Sequence, residues 1–325
     1  MSKKEYPSIY CLKGICSLLV VLVHAQFFFH DLYVPVYRLA VPLFFVISGF
    51  FLVDETGNIK TAKIIPVIKK MLKINITTSI VYILFFIIKS FIVGTDSYIS
   101  ILYPKDFLLS IFLGHPYCGV LWYVTAYIEI LLILKLFASF HKEKILFYLI
   151  PFFLLLELFV GKYSFIIGDG FDHFYHRNFF TMGLPFVLIG ILIKKYQLFK
   201  RLTHPKVVAF LLLIISYVEY LLLQKNAVYR EGDLVISSMF LVPVIFIIFL
   251  NSTSIKMENL LSVIGKKYSL NLYLYHPMVL TIYYLLHLNK ILHNFEYPIV
   301  LLITLLGCIF AKKIKDTFSK RLYSI

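Results

Sequence analysis

The stretch IYCLKGICSLLVVLVHAQFFF, residues 9–29, is long and apolar enough to cross the hydrocarbon core of a bilayer as one helix. Its two ionisable exceptions are Lys13 and His24. Further apolar stretches follow along the whole chain. Together the predicted spans cover residues 9–29, 34–53, 73–93, 117–138, 145–161, 178–194, 207–224, 234–250, 268–287 and 296–312. The sequence therefore predicts an all-α, polytopic membrane protein with about ten transmembrane helices.

The composition of the chain excludes a water-soluble enzyme. Of its 325 residues, 60% are hydrophobic and 15% are charged, and the mean hydropathy is +0.87. A soluble domain carries about a quarter charged residues and under half apolar ones. No linker divides the sequence, so we expect one transmembrane domain over residues 1–325 without an appended soluble domain. The four cysteines follow no metal or redox spacing, and no metal is expected.

The net charge of +15 reports orientation in the membrane and not nucleic-acid binding, because the cations fall between apolar stretches. Of the 32 lysine and arginine residues, 23 fall on the side that holds the N-terminus and seven on the opposite side. Since cytoplasmic loops are enriched in these residues, we expect both termini in the cytoplasm. We expect the protein to lie in the cell membrane, that is, in the cytoplasmic or inner membrane.

Lys13 and His24 are predicted to lie on one face of the first helix. They are 11 residues apart, which is three helical turns plus about 20°, so they are separated by about 16 Å along the axis. Ionisable groups within a membrane usually face a cavity or a partner and are functional candidates. Two structural alternatives stay open, in which Lys13 reaches towards lipid phosphate and His24 bonds to a backbone carbonyl.

Five short sequence motifs occur in a fixed order along the chain. They are LKGI at 12–15 with Val23-His24, VPLFFVISGF at 41–50, LWYV at 121–124, Arg177-Asn178 with GLPF at 183–186, and SLNLYLYHP at 269–277. This series resembles the membrane acyltransferase-3 family, whose members acylate sugars and surface polysaccharides, and it covers nearly the whole chain. One departure concerns Lys13, because the family has an arginine there. Lysine keeps the charge but loses the planar, bidentate guanidinium.

The resemblance implies an integral-membrane O-acyltransferase, expected to be an O-acetyltransferase, whose co-substrate is acetyl-CoA or another acyl-CoA. The expected partners are membrane lipid, acyl-CoA and a glycan or lipid-linked sugar acceptor at the cell surface or envelope, with no nucleic acid. Lys13 is expected to bind the donor phosphates and His24 to act as general base. Arg38 and Arg177 are expected to stabilise the oxyanion or position the acceptor. Direct transfer and an acyl-enzyme both stay open.

The remaining candidate residues each have a structural alternative. Trp122 and Tyr123 suit stacking on a sugar ring, but aromatic residues also belong at a membrane interface. His276 is expected to line the cavity, or to satisfy the carbonyl that Pro277 leaves unpaired. Glu129 is an intramembrane carboxylate that could also belong to the cavity or pair with a cation. The alternative function is a transporter or exporter of a polysaccharide, lipid-linked sugar or small metabolite on the same scaffold.

Overall fold

A computed structural model describes residues 5–94, 119–167, 177–225 and 234–322, with positions 103, 105, 108, 109 and 175. Within these residues the chain is helical nearly throughout and contains no strand, apart from an isolated bridge between Val53 and Ile59. The all-α prediction is therefore confirmed. The principal helices are α1 Pro7–His24, α2 Ala40–Leu52, α3 Thr61–Val93, α4 Trp122–Ser139, α5 Ile150–Val160, α6 Leu184–Lys195, α7 Pro205–Lys225, α8 Ile236–Asn251, α9 Leu260–Lys267, α10 Ser269–Leu285 and α11 Glu296–Leu322.

Six segments of the described chain are long and apolar enough to cross a membrane. These segments are Pro7–His24, His30–Leu52, Thr61–Val93, Gly119–Ser139, Pro205–Gln224 and His293–Thr317. Helices α5 and α8 are apolar but shorter. The chain is thus a multi-pass membrane protein, whereas the count of ten spans and the cytoplasmic placement of both termini stay predictions.

Two of the predicted spans have an internal irregularity. The span predicted at 145–161 is divided, because a short helix Glu143–Tyr148 ends just before α5 begins with Pro151 in its first turn. The span predicted at 178–194 begins with a π-helical turn, Phe179–Gly183, that leads into α6. Proline has no backbone N–H to donate, so a helix boundary at Pro151 follows directly from its chemistry.

The chain folds as two compact units. The first unit combines residues 1–40 with residues 252–325, and the second comprises residues 41–251. The first unit therefore joins the N-terminal helix α1 to the C-terminal helices α9, α10 and α11. A single transmembrane domain over residues 1–325 stays a prediction.

Close backbone approach joins α1 to α9 in the first unit. The Cα of Gly14 faces the carbonyl of Leu261, and the Cα of Gly265 faces the carbonyl of Tyr10, so a methyl group on either glycine would overlap main-chain atoms. The Ser262 hydroxyl also donates to the Pro7 carbonyl, at 3.0 Å. Small residues permit this separation, which is how helices commonly associate in membranes.

In the second unit, α2 and α6 approach in the same way. The Cα of Gly49 faces the Val187 carbonyl, and the Cα of Gly190 faces the Val46 carbonyl. Because backbone atoms cannot move aside as a side chain can, the two contacts fix the separation of these helices.

A hydrogen-bond network around Glu219 joins α7 to the start of α8 in the second unit. The Glu219 carboxylate accepts hydrogen bonds from the backbone N–H of Ile236, at 2.9 Å, and of Ser237, at 3.0 Å. The Ser237 and Tyr163 hydroxyls also donate to it. A carboxylate at the first N–H groups of a helix satisfies donors that have no partner within the helix. Glu219 thus acts as a structural group that the sequence interpretation did not identify.

Replacing Glu219 by alanine is expected to destabilise the protein by on the order of 3 kcal/mol, because four donors lose their acceptor and each buried orphan costs about 1–3 kcal/mol. The measurement is the thermal unfolding midpoint in detergent, with Glu258→Ala as the control since Glu258 is exposed. Equal midpoints for the two variants would contradict the structural role.

Candidate active site

Helix α1 carries Lys13 and His24 without interruption, since it is α-helical from Pro7 to His24. Their spacing therefore places both side chains on one face, about 16 Å apart along the axis. Lys13 is half-buried, whereas His24 is the last residue of the helix and is exposed. The geometry predicted for this pair is what the helix adopts.

His24 lies beside His276 of α10. The centroids of the two imidazole rings are 5.2 Å apart, and the ring planes are inclined by 34°. Unlike His24, His276 is buried, with 1% of its surface exposed. Sequence reasoning selected each histidine separately but did not predict that they meet.

The protonation pattern of His276 follows from its hydrogen bond. Its Nδ1 lies 3.0 Å from the carbonyl oxygen of Leu272. Because a carbonyl only accepts, Nδ1 carries the proton, and a neutral ring then has its lone pair on Nε2. That Nε2 is buried and has no hydrogen-bond partner within the described residues. The carbonyl bond that was one alternative for His276 therefore exists, and it leaves the other nitrogen available to a ligand or a proton.

Arg38 belongs to the same unit as this histidine pair. It is half-buried at the end of a short helix, Val34–Tyr37, and its guanidinium carbon lies 5.5 Å from the centroid of the Tyr37 ring. The ring of His30 packs on Tyr37 from 5.2 Å. Arginine stacked on an aromatic face is restrained in position while its N–H groups stay directed outward.

An open, basic cavity lies at the opposite end of α1 from His24. Its volume is about 430 Å³, and its lining includes three lysines and one carboxylate, Lys267, Lys312, Lys313 and Asp316, so positive charge predominates. The Nζ of the adjacent Lys266 lies 2.6 Å from the carboxylate of Glu5, just before α1, and this hydrogen bond raises the pKa of Lys266. Three ammonium groups around one cavity suit a phosphate-bearing ligand.

Trp122 and Tyr123 belong to the second unit, where they begin α4 within an aromatic cluster. Phe45 packs against both, with centroid distances of 6.0 Å to Trp122 and 4.6 Å to Tyr123. The Tyr123 hydroxyl lies 3.2 Å from the Ser48 hydroxyl. Both aromatic residues are only partly buried, so part of each side chain stays accessible to a ligand.

Glu129 and Arg177 are the other two candidates in the second unit. Glu129 is half-buried on α4, two turns after Trp122. Arg177 is half-buried and immediately precedes Asn178, whose Oδ1 accepts hydrogen bonds from the N–H groups of Phe180, at 2.7 Å, and Thr181, at 3.0 Å. This cap fixes the backbone next to Arg177. The roles predicted for Glu129 and Arg177 stay predictions.

A family model for an acyltransferase domain, that of the acyltransferase-3 family, matches residues 6–313. The chain belongs to the acyltransferase-3 family. Searches of curated proteins and of solved structures returned no significant match. The matched region includes the second unit, most of the first and every candidate residue from Lys13 to His276, and it identifies a membrane acyltransferase.

One loop of this acyltransferase, residues 168–177, mixes aspartate and histidine, but its spacing matches no standard metal site. Most of the loop lies outside the described residues. Within the described part of the chain, no group of three or more His, Cys, Asp or Glu side chains is arranged to hold a metal ion.

The sequence did not identify two titratable residues that the structure places near the end of α1. Glu296 begins α11 and is fully buried, and His30 lies in the turn between α1 and the short helix Val34–Tyr37. The available signal was a carboxylate at the first position of an apolar span, where burial makes a charge expensive. His30 offered no comparable signal, because a histidine beside a span end is ordinarily solvated.

Proposed function

We propose that this acyltransferase moves an acyl group, acetyl in the first instance, from cytoplasmic acyl-CoA to a hydroxyl of a cell-surface or envelope glycan. The observation that carries the proposal is the pair His24 and His276 at one end of α1, with Lys13 and a basic cavity towards the other. Such an arrangement offers one helix along which a donor could extend, with its phosphates at the basic end and its thioester at the imidazoles.

In the proposed chemistry, His24 removes the proton from the acceptor hydroxyl as the oxygen attacks the thioester carbonyl. The C–O bond forms, the C–S bond breaks, and the protonated imidazole returns its proton to the departing CoA thiolate. Imidazole suits both steps because its ordinary pKa lies near neutrality. His276 supports the cycle through Nε2, which can accept a hydrogen bond from the His24 ring or from the acceptor.

The other candidate residues take the roles that their chemistry supports. Arg38 supplies a positive charge near the C-terminal end of α1, where negative charge develops on the thioester oxygen. We propose that Arg177 stabilises the oxyanion or positions the acceptor, and that Trp122, Tyr123 and Glu129 contact the acceptor. Aromatic faces and a carboxylate are the groups that sugars ordinarily contact, by stacking and by hydroxyl donation.

The donor phosphates are proposed to contact Lys13 and the cavity lysines. Lysine binds phosphate as a point charge, so several lysines can replace the bidentate contact that the family arginine would make. The cavity at the N-terminal end of α1 supplies such additional charges.

Removing single donor-side cations is expected to weaken the binding of acyl-CoA selectively. Lys13→Gln and Lys312→Gln should each raise the KM for acetyl-CoA by about tenfold, since a hydrogen bond to a charged group contributes about 1.5–3 kcal/mol. Lys13→Arg should keep or lower that KM. Lys315→Gln is the control, because Lys315 is exposed on α11 and is not among the residues that line the cavity. An unchanged KM in Lys13→Gln would mean that the donor binds elsewhere.

The test of the function uses the purified protein in liposomes with acetyl-CoA labelled in the acetyl group. Release of CoA together with label on an added glycan supports transfer. Absence of release with every glycan, alongside measurable flux of a solute, would overturn the enzyme proposal in favour of the transporter or exporter alternative.

A further inference from the structure

Helix α3 of the second unit is longer than a membrane span requires. It contains 33 residues, Thr61–Val93, and is therefore about 50 Å long, whereas the hydrocarbon core of a bilayer is about 30 Å thick. Residues 74–93 contain a single charged side chain, Lys89, and are long enough to cross that core. Residues 61–73 consequently extend beyond the hydrocarbon, to the level of the lipid headgroups.

The part of α3 that extends beyond the hydrocarbon carries four lysines on one side of the helix. They fall within an arc of about 120° around the helix axis. All four side chains are exposed, and they form the lysine face of α3, which consists of Lys63, Lys69, Lys70 and Lys73. Ile64 and Ile68 lie on the opposite side of the same segment and are buried. The segment therefore packs on the protein through its isoleucines, and its charges point outward.

The lysine face continues the lipid-facing surface of α3. Ile76 and Ile80 follow Lys69 by 7 and 11 residues, and Leu84 follows Lys73 by 11. Both spacings return to nearly the same side of an α-helix. These three aliphatic side chains are 37%, 46% and 55% exposed, as expected for residues that contact acyl chains, which are as apolar as leucine itself. The lysines thus lie beside the headgroups of the lipids whose acyl chains contact the same side of α3.

The charges of the lysine face are not balanced within α3. The helix contains neither aspartate nor glutamate. Lys73 is four residues from Lys69 and three from Lys70, so their ammonium groups are neighbours that repel one another. Lys63 lies in the first turn, where the helix dipole favours negative charge. An anionic group at this face would relieve both unfavourable interactions.

Membrane orientation alone does not explain the lysine face. Cations at one end of a span favour the cytoplasmic side, and this accounts for lysines at the beginning of α3. A cation would have the same effect on any side of the helix, however. The confinement of all four lysines to the lipid-facing side requires a further reason, and negatively charged headgroups supply one.

We propose that the lysine face binds the phosphate groups of anionic phospholipids in the leaflet at the N-terminal end of α3. Each ammonium contacts phosphate as a point charge. A lysine near an anionic leaflet strengthens association by about fivefold, so four lysines together suffice to keep such lipids beside α3. The site is separate from the acyl transfer proposed above, and its test needs no enzymatic activity.

The test follows the unfolding midpoint of the purified protein in a neutral detergent as lipid is added. The probes are phosphatidylglycerol, phosphatidylcholine with the same acyl chains, and inorganic phosphate. Phosphatidylglycerol should raise the midpoint of the wild type by several degrees, because a ligand that binds the folded state stabilises it. Phosphatidylcholine, which has no net charge, and inorganic phosphate, which has no acyl chains to contact Ile76 and Ile80, should have little effect.

Two variants that lose the same amount of charge show whether the lysine face is responsible. Replacing all four of its lysines by glutamine should raise the half-saturating concentration of phosphatidylglycerol more than tenfold. The matched control replaces four exposed lysines elsewhere in the second unit and should keep that concentration within about threefold of wild type. The control positions are Lys142, Lys144, Lys200 and Lys206.

Equal increases in the two glutamine variants would overturn the inference, because net charge and not this face would then attract the lipid. Equal stabilisation of the wild type by phosphatidylcholine or by inorganic phosphate would overturn it as well. If the fourfold glutamine variant does not insert, Lys69→Gln combined with Lys73→Gln removes half of the charge and should still raise the half-saturating concentration about tenfold. Arginine at all four positions keeps the charge and should preserve wild-type stabilisation.

Discussion

Replacement of His24 by alanine is expected to lower kcat for acetyl transfer by about 10²–10⁴-fold, the usual contribution of a general base. The protein should still fold and insert, because His24 is exposed at the end of α1 and fills no part of the core. The measurement is CoA release from labelled acetyl-CoA in liposomes, with the elution profile and unfolding midpoint recorded in parallel.

His293→Ala is the matched control for the His24 variant. His293 is an exposed histidine of the same unit and should keep activity within about twofold of wild type, since surface substitutions usually have small effects. If His24→Ala retains more than a tenth of wild-type turnover, His24 is not the base. Such a result would direct attention to His276 or to the transporter alternative.

Gly265→Ala is expected to prevent the first unit from folding normally. The added methyl group would overlap the Tyr10 carbonyl, and Gly14→Ala would overlap the Leu261 carbonyl in the same way. Overpacking typically costs about 1–3 kcal/mol when side chains can move aside, and here the obstructing atoms are backbone. We expect the yield of monodisperse protein to fall several-fold and the unfolding midpoint of any remaining protein to drop.

Gly307→Ala controls for the substitution itself. Gly307 lies on α11, and no atom within 4 Å obstructs a methyl group there. Alanine is favoured over glycine within a helix by about 1 kcal/mol, so this variant should be as stable as wild type or more so. Wild-type behaviour of Gly265→Ala would show that α1 and α9 are farther apart than their glycines indicate.

Local geometry explains why part of the site was predictable. Lys13 and His24 share a face because the twist of an α-helix depends only on their separation in sequence. The apolar length of residues 9–29 predicted the helix, and two ionisable groups within it marked it as functional. His276 was identified as part of the SLNLYLYHP element and as an ionisable residue within a span, but nothing in the neighbouring sequence pointed to His24.

Contacts between distant segments explain why the rest was not predictable. His276 lies beside His24 because α9 and α10 pack on α1, and Gly14 and Gly265 set how close α9 comes. The position of a glycine in the sequence does not indicate which helix it will contact. The sequence analysis assigned no role to Glu219, because the N–H groups that bond to its carboxylate belong to the start of α8.

The sequence by itself determined that this protein is a multi-pass, helical membrane acyltransferase with Lys13 and His24 on one helix face. Hydropathy, helical period and short motifs act over neighbouring residues, so a single sequence carries them completely. Only the tertiary structure decided that His276 lies beside His24, that its Nδ1 donates to a carbonyl, and that Glu296 is fully buried. These properties depend on which helix surfaces pack against each other and so exclude water and lipid. That packing joins segments that are far apart in the chain.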